Sequence, residues 1–145
     1  MDKFLDEALA EALKGFNQGG IPIGSVLVID EQIVGRGHNR RIQAQSPILH
    51  AEMDCLASAG RLTAAEYSRA TIYSTLSPCD MCSGAILLYK IPVVIIGENR
   101  TFQGPEAYLQ SRGVTLRNLD DHRCFDILQR FIADHPTDWY EDIGV

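Results

Sequence analysis

Cys79 and Cys82 stand three apart behind Pro78 in the stretch LSPCDMC. Such a pair can be a redox couple, half of a zinc site, or two packed core residues. A C-x-x-C pair that opens a helix has its thiol pKa lowered by the helix N-terminus, so redox use is chemically reasonable. Upstream, however, LHAE supplies His50 and Glu52. One imidazole and two thiolates make three zinc ligands and leave the fourth position open, the pattern of a catalytic zinc rather than a structural one. Glu52 beside that position would give a metal-activated water its acid–base partner.

Two other cysteines could close the site. Cys55 lies five residues past His50, about 140° around a helix, and should face elsewhere. Cys124 is remote in sequence and stays open as a ligand on sequence alone. For both, the expected role is packing, because a free cysteine behaves as a small buried hydrophobe. His50 and Glu52 are also constrained: two residues apart in mid-helix, they would not share a face. They converge only if HAE opens a helix. A second helix opening at Cys79 would aim its N-terminus at the same place, and the two dipoles would favour thiolates and developing negative charge.

The elements that must position these residues can be read from spacing and punctuation. Residues 2–18 place Phe4, Leu5, Ala8, Leu9, Ala12, Leu13 and Phe16 at helical spacing and end in QGG. GSVLVID and QIVGRGHN read as two strands around a tight turn at Asp30-Glu31. SPILHAEMDCLASAG predicts a helix opening near Ile48, ATIYSTL a strand, and PCDMCSGAILLYK a helix with Pro78 in its first turn. VVIIGE is a continuous apolar strand. A helix near 105–112, a short strand near 114–118 and a helix from about 120 to 134 follow, then the aromatic, acidic tail PTDWYEDIGV. Strands alternating with helices imply a mostly parallel sheet covered on both faces, a three-layer α/β/α domain.

His50-Ala51-Glu52 and Pro78-Cys79-Asp80-Met81-Cys82 spell H-x-E…P-C-x-x-C, the signature of zinc deaminases. The chain resembles the cytidine deaminase-like zinc hydrolase superfamily and, within it, the fungal-type cytosine deaminases. The carrying segments are GGIPIG, GRGHN, LHAE, TLSPCDMCSGAI, GEN, YLQSRG and DWYEDIG, spread over nearly the whole chain. The resemblance implies one domain over residues 1–145, a five-stranded mixed, mostly parallel sheet, one Zn²⁺ per subunit and a homodimer. It implies hydrolytic deamination of a free nucleobase, cytosine to uracil and ammonia before others. Its zinc ligands fall on His50, Cys79 and Cys82, and its proton shuttle on Glu52. Asn39 and Asp142 fall on its base-edge contacts, with backbone groups at Ala51, Ser77 and Cys79. Phe102 and Trp139 fall on the aromatic walls, and Ile23 and Ile143 on the apolar lining.

One departure bears on substrate choice. The fungal family spells HGE where this chain has HAE, a spelling shared with tRNA adenosine and guanine deaminases. The alternatives are therefore another small amino-heterocycle (isocytosine, a creatinine-like cyclic amidine, guanine), then a tRNA adenosine or nucleoside deaminase, and, from a different class, a non-catalytic zinc module.

Composition narrows the partners. A net charge of −6 and scattered arginine pairs weigh against phosphate-backbone binding, which needs clustered cations. The expectation is a small-molecule base and no nucleic acid. No apolar run approaches the ~18 residues of a membrane span, and the opening residues carry acids where a signal peptide would be apolar. Four cysteines in 145 residues do not make a disulfide framework, so a cytoplasmic location is expected.

Overall fold

A computed structural model describes residues 2–145. Its first element, α1 (Lys3–Asn17), is capped by Asp2, whose carboxylate accepts the amides of Phe4 and Leu5 at 2.9 and 3.2 Å. A hairpin follows, β1 (Gly24–Ile29) and β2 (Gln32–His38). Asp30 and Glu31 form its turn with φ of 50° and 65°, the left-handed pair that a two-residue hairpin requires. Then come α2 (Ala51–Ala59), α3 (Ala64–Tyr67), β3 (Ala70–Ser74), α4 (Asp80–Leu88), β4 (Val93–Ile96), α5 (Glu106–Ser111), β5 (Thr115–Asn118), α6 (His122–Asp134) and α7 (Pro136–Asp142).

The sheet order is β2-β1-β3-β4-β5. β1 is antiparallel to both β2 and β3, whereas β3, β4 and β5 pair in parallel. Four strands therefore run one way and β1 alone runs against them, which makes the sheet mixed with a common strand direction. The period-2 alternation of β1 divides the core. Leu27 and Ile29 pack with Cys55, Ile72, Ile86, Val94 and Leu109 on one face. Val26 and Val28 pack with α1, Tyr73, Ile95, Cys124 and Ile127 on the other. The result is the expected three layers, α2, α4 and α5 against one face and α1 and α6 against the other. Glycines let the layers close: a Cβ at Gly37 would lie 2.6 Å from the Cys55 amide nitrogen, so only a bare backbone admits α2 this near β2.

Two helix starts differ from the expected ones, and the difference matters. α2 opens at Ala51 rather than near Ile48, because His50 is extended (φ −62°, ψ 163°) and serves as its N-cap. α4 opens at Asp80, with Cys79 extended as its N-cap and Pro78 outside the helix. Two further helices are not apparent from the sequence. α3 has a capping box, Thr63 with Glu66, and α7 begins with Pro136 at its first position. Among the described residues, no helix is long and apolar enough to cross a membrane.

Candidate active site

The N-termini of α2 and α4 meet beyond the end of β3. His50 is the N-cap of α2 and Cys79 the N-cap of α4, and neither helix has a side-chain capping bond. The free amides of two first turns thus face one small region, which carries positive potential. Cys82 lies in the first turn of α4, three residues past the cap, and shares the Cys79 end of the helix. One donor atom from each of His50, Cys79 and Cys82 lies within 4.8 Å of the other two. His50 Nδ1 is the nitrogen turned to the sulfurs, 3.4 Å from Cys79 Sγ. This soft, closely gathered N/S₂ set fits Zn²⁺ with a position to spare.

Protons compete with a metal for these atoms, since zinc takes a neutral imidazole and thiolates. A hydrogen bond from Cys82, acting against burial, holds the Cys79 thiol down at about 4. Cys82 moves upward in return, through that same bond and through burial. Burial disfavours the His50 cation, but Asp142 and Cys79 beside it outweigh burial and hold its pKa up at about 10. Glu52 is 4% exposed, and burial, helped by the Cys79 charge, pushes its carboxyl up to about 7. By contrast, burial pushes Cys55 and Cys124 up to about 12. Both lie in the two core layers, away from the N/S₂ group, as free thiols. The packing role expected for them is the one the structure shows.

These parts line one small cavity. His50, Ala51, Glu52, Ser77 and Cys79 form its inner wall. Asn39 enters from the end of β2, Phe102 from the β4–α5 loop, and Trp139, Asp142 and Ile143 from the C-terminal segment, with Ile23 beneath. Every residue expected to bind zinc, carry protons or touch substrate is on this cavity except Cys82, which sits behind Cys79 and is fully buried. Leu76, not singled out, also lines it. It stands next to Ser77 in LSPC, and its apolar type gives no chemical signal.

Asp142 links the outer wall to the inner one. Its Oδ2 accepts from Asn39 Nδ2 at 3.1 Å, while its Oδ1 lies 3.2 Å from His50 Nε2. The second contact is a charge contact off the hydrogen-bond direction, and Oδ1, fully buried, has no hydrogen-bond partner. Asn39 Oδ1 accepts the Arg41 backbone amide at 2.9 Å, and the Asn39 backbone N–H donates to the Ile23 carbonyl. The carboxamide is thus held at both ends, with one hydrogen and one lone pair still free.

Sequence reasoning also missed the residues that brace the Phe102 loop. Glu98 Oε2 accepts the amides of Arg100 and Thr101 at 2.7 and 2.9 Å. Ser77 Oγ donates to Glu106 Oε2 at 2.6 Å. GEN draws notice only as a family spelling, and nothing in the sequence ties Glu106 to Ser77, 29 positions away.

A three-layer fold with an N/S₂ metal site and a buried carboxylate at two helix N-termini defines a metal-dependent hydrolytic class. The family model for the cytidine and deoxycytidylate deaminase zinc-binding region matches residues 1–98, and the chain belongs to this family of zinc-dependent deaminases. It is 51% identical over 143 residues to the cytosine deaminase of Candida albicans, covering 98% of this chain and 95% of that one. It is 43% identical over 138 residues to a tRNA-specific adenosine deaminase of Streptococcus pyogenes, covering 88% and 87%. A solved structure from studies of A-to-I editing by tRNA deaminases at the wobble position superposes with a TM-score of 0.73. It is 27% identical and covers 87% of this chain and 99% of that one.

Proposed function

We propose that this protein hydrolyses free cytosine to uracil and ammonia, as a single catalytic domain over residues 1–145. His50 Nδ1, Cys79 and Cys82 hold the zinc, one ion per subunit. When bound, the zinc supplies Lewis acidity and brings the pKa of its water toward ~7. Glu52 is the proton carrier. As water adds to the amine-bearing carbon, Glu52 takes its proton and passes it to the ring nitrogen. A second passage delivers a proton to the amine, which leaves as ammonia.

The observation that carries the reading is the buried Asp142 carboxylate on the cavity wall, whose Oδ1 meets His50 Nε2 at 3.2 Å without a well-directed hydrogen bond. Its remaining lone pairs can accept from an exocyclic amine, which offers two hydrogens. After reaction the same position on the ring bears a carbonyl oxygen, which a carboxylate repels, so the product binds less well than the substrate. Asn39 spends its free hydrogen and lone pair on the opposite edge of the base. Backbone groups of Ala51 and Ser77 add edge contacts, Phe102 and Trp139 cover the ring faces, and Ile23 and Ile143 exclude water. The closing of the cavity by α7 and the −6 charge support a small free base over a tRNA loop, as does the higher identity to the Candida albicans enzyme. We place the enzyme in the cytoplasm, in pyrimidine salvage, as a homodimer. Exposed Leu88, Tyr89 and Tyr108 on and beside α4 and α5 offer apolar surface for a second subunit.

Ammonia release from a panel of cytosine, isocytosine, guanine, creatinine, cytidine, and an adenosine-bearing RNA stem-loop tests this. Turnover of cytosine, with none of cytidine or RNA, is the expected result. Silence on cytosine overturns it.

A further inference from the structure

Glu106 is a nearly buried carboxylate, 8% exposed, that lines neither the cavity nor the cleft outside it. Yet it is bonded to two parts of the site. Its Oε2 accepts the Ser77 hydroxyl at 2.6 Å, and both its oxygens lie 3.3 Å from Asn99 Nδ2. Ser77 Oγ in turn accepts the Gly104 amide at 3.0 Å. Ser77 lines the cavity just before the zinc-binding segment, and residues 99–104 carry Phe102, a wall of the same cavity. At Gly104 the loop touches that segment directly, since any Cβ there would collide with the Pro78 carbonyl oxygen. Glu106 thus closes a chain from α5 through the Ser77 hydroxyl to the loop backbone.

The hydrogen-bond roles are fixed by chemistry. A carboxylate only accepts, so the Ser77 proton goes to Glu106 and a Ser77 lone pair is left for the Gly104 N–H. With that proton committed, the hydroxyl is not a donor to substrate. Its place at the cavity is structural: it pins the Phe102 loop to the wall that carries Cys79. An unbraced loop would have to be ordered at each binding event, and that ordering subtracts from affinity.

We infer that Glu106 is a positioning residue of the deaminase, fixing Ser77 and the Phe102 loop so that the base-binding cavity is preformed. The inference rests on the deaminase reading above. The test compares Glu106→Ala and Glu106→Gln in the zinc-loaded enzyme. The alanine variant is expected to raise KM for cytosine on the order of 10-fold or more, with kcat far less affected and zinc content unchanged. Glutamine keeps an acceptor for the Ser77 hydroxyl and is expected to restore KM to within about threefold of the parent. A residue that only stabilised the fold would lower kcat through the active fraction and leave KM alone, and that outcome overturns the proposal. A parent-like KM in the alanine variant, or failure of glutamine to rescue it, also overturns it. Adding Ser77→Ala to Glu106→Ala should cost little more than the poorer single change, whereas additive losses would sink the link through Ser77. Hydrogen exchange at the Gly104 amide reads the brace independently of turnover. It should accelerate in the alanine variant and stay slow with glutamine. If the parent does not deaminate cytosine, the substrate reading fails while the exchange result still judges the brace.

Discussion

The two walls of the cavity are built in opposite ways. The inner wall is local: His50 and Glu52 come from the opening of α2, and Cys79, with Cys82 buried behind it, from the opening of α4. Each pair is fixed by a helix start, and the two starts need only meet. The outer wall is assembled over long distances. Asn39 and Asp142, which bond to each other, are 103 positions apart, and Phe102 arrives from a third segment. The inner wall carries the titratable groups His50, Glu52 and Cys79. The outer wall holds shape and acceptors. Reaction type therefore follows from two short segments, whereas substrate choice depends on how the whole chain closes.

The sharpest way to separate the walls is to remove the proposed proton carrier, Glu52, alone. Glu52→Gln keeps size and burial but cannot carry a proton, so kcat should fall by on the order of 10²–10⁴. Zinc content, measured on the purified protein, and cytosine KM should stay near the parent values. An unchanged rate would remove Glu52 from the mechanism.

Asp142 is where the division between the walls is weakest, because it touches both. Asparagine at this position offers one oxygen and one NH₂ in place of two acceptors. One of its two donor neighbours, Asn39 Nδ2 or the His50 Nε2–H, must then face another donor. Asp142→Asn should weaken zinc retention and activity together, each by ~10–100-fold, as for other groups that orient a metal-bound histidine. Kinetics beside a chelator competition would measure both. Loss of activity with parent-like zinc affinity would confine Asp142 to the outer wall and restore the clean division.

The same contrast explains what the sequence reveals. His50, Glu52, Cys79 and Cys82 are legible because their chemistry is rare and their spacing is set by one helical turn. The strands and most helices are legible because their faces are buried, as in the alternation of Leu27 and Ile29 against Val26 and Val28. The reversal of β1 is legible in part, since the hairpin turn at Asp30-Glu31 forces it against β2, but its pairing with β3 on the other side has no local signal. Asn39, Phe102, Trp139 and Asp142 carry no chemistry in their spacing and are marked only by resemblance. Helix α7 escapes notice because seven residues with a proline start resemble an acidic tail, until Trp139 meets Leu128 and Phe131. Glu106 is invisible because its role exists only through its contact with Ser77.

A last and smaller effect asks how rigid the outer wall is at its rim. Arg41, two residues past Asn39, reaches Glu141 on α7 at 3.6 Å across the mouth of the outer cleft. Glu141 is 58% exposed, so solvent screens the pair and it contributes ~0–1 kcal/mol. Glu141→Gln should therefore raise cytosine KM by less than about threefold, and the difference should vanish as salt rises, since exposed pairs are screened within about 10 Å at 0.1 M. Salt-dependent kinetics of the variant and the parent would measure it. A tenfold KM change that persists in high salt would mean that α7 is held against the cavity chiefly from its rim. Because Trp139 is 3% exposed among apolar neighbours, the expected outcome is the reverse: burial seats α7, and the ion pair only trims the opening.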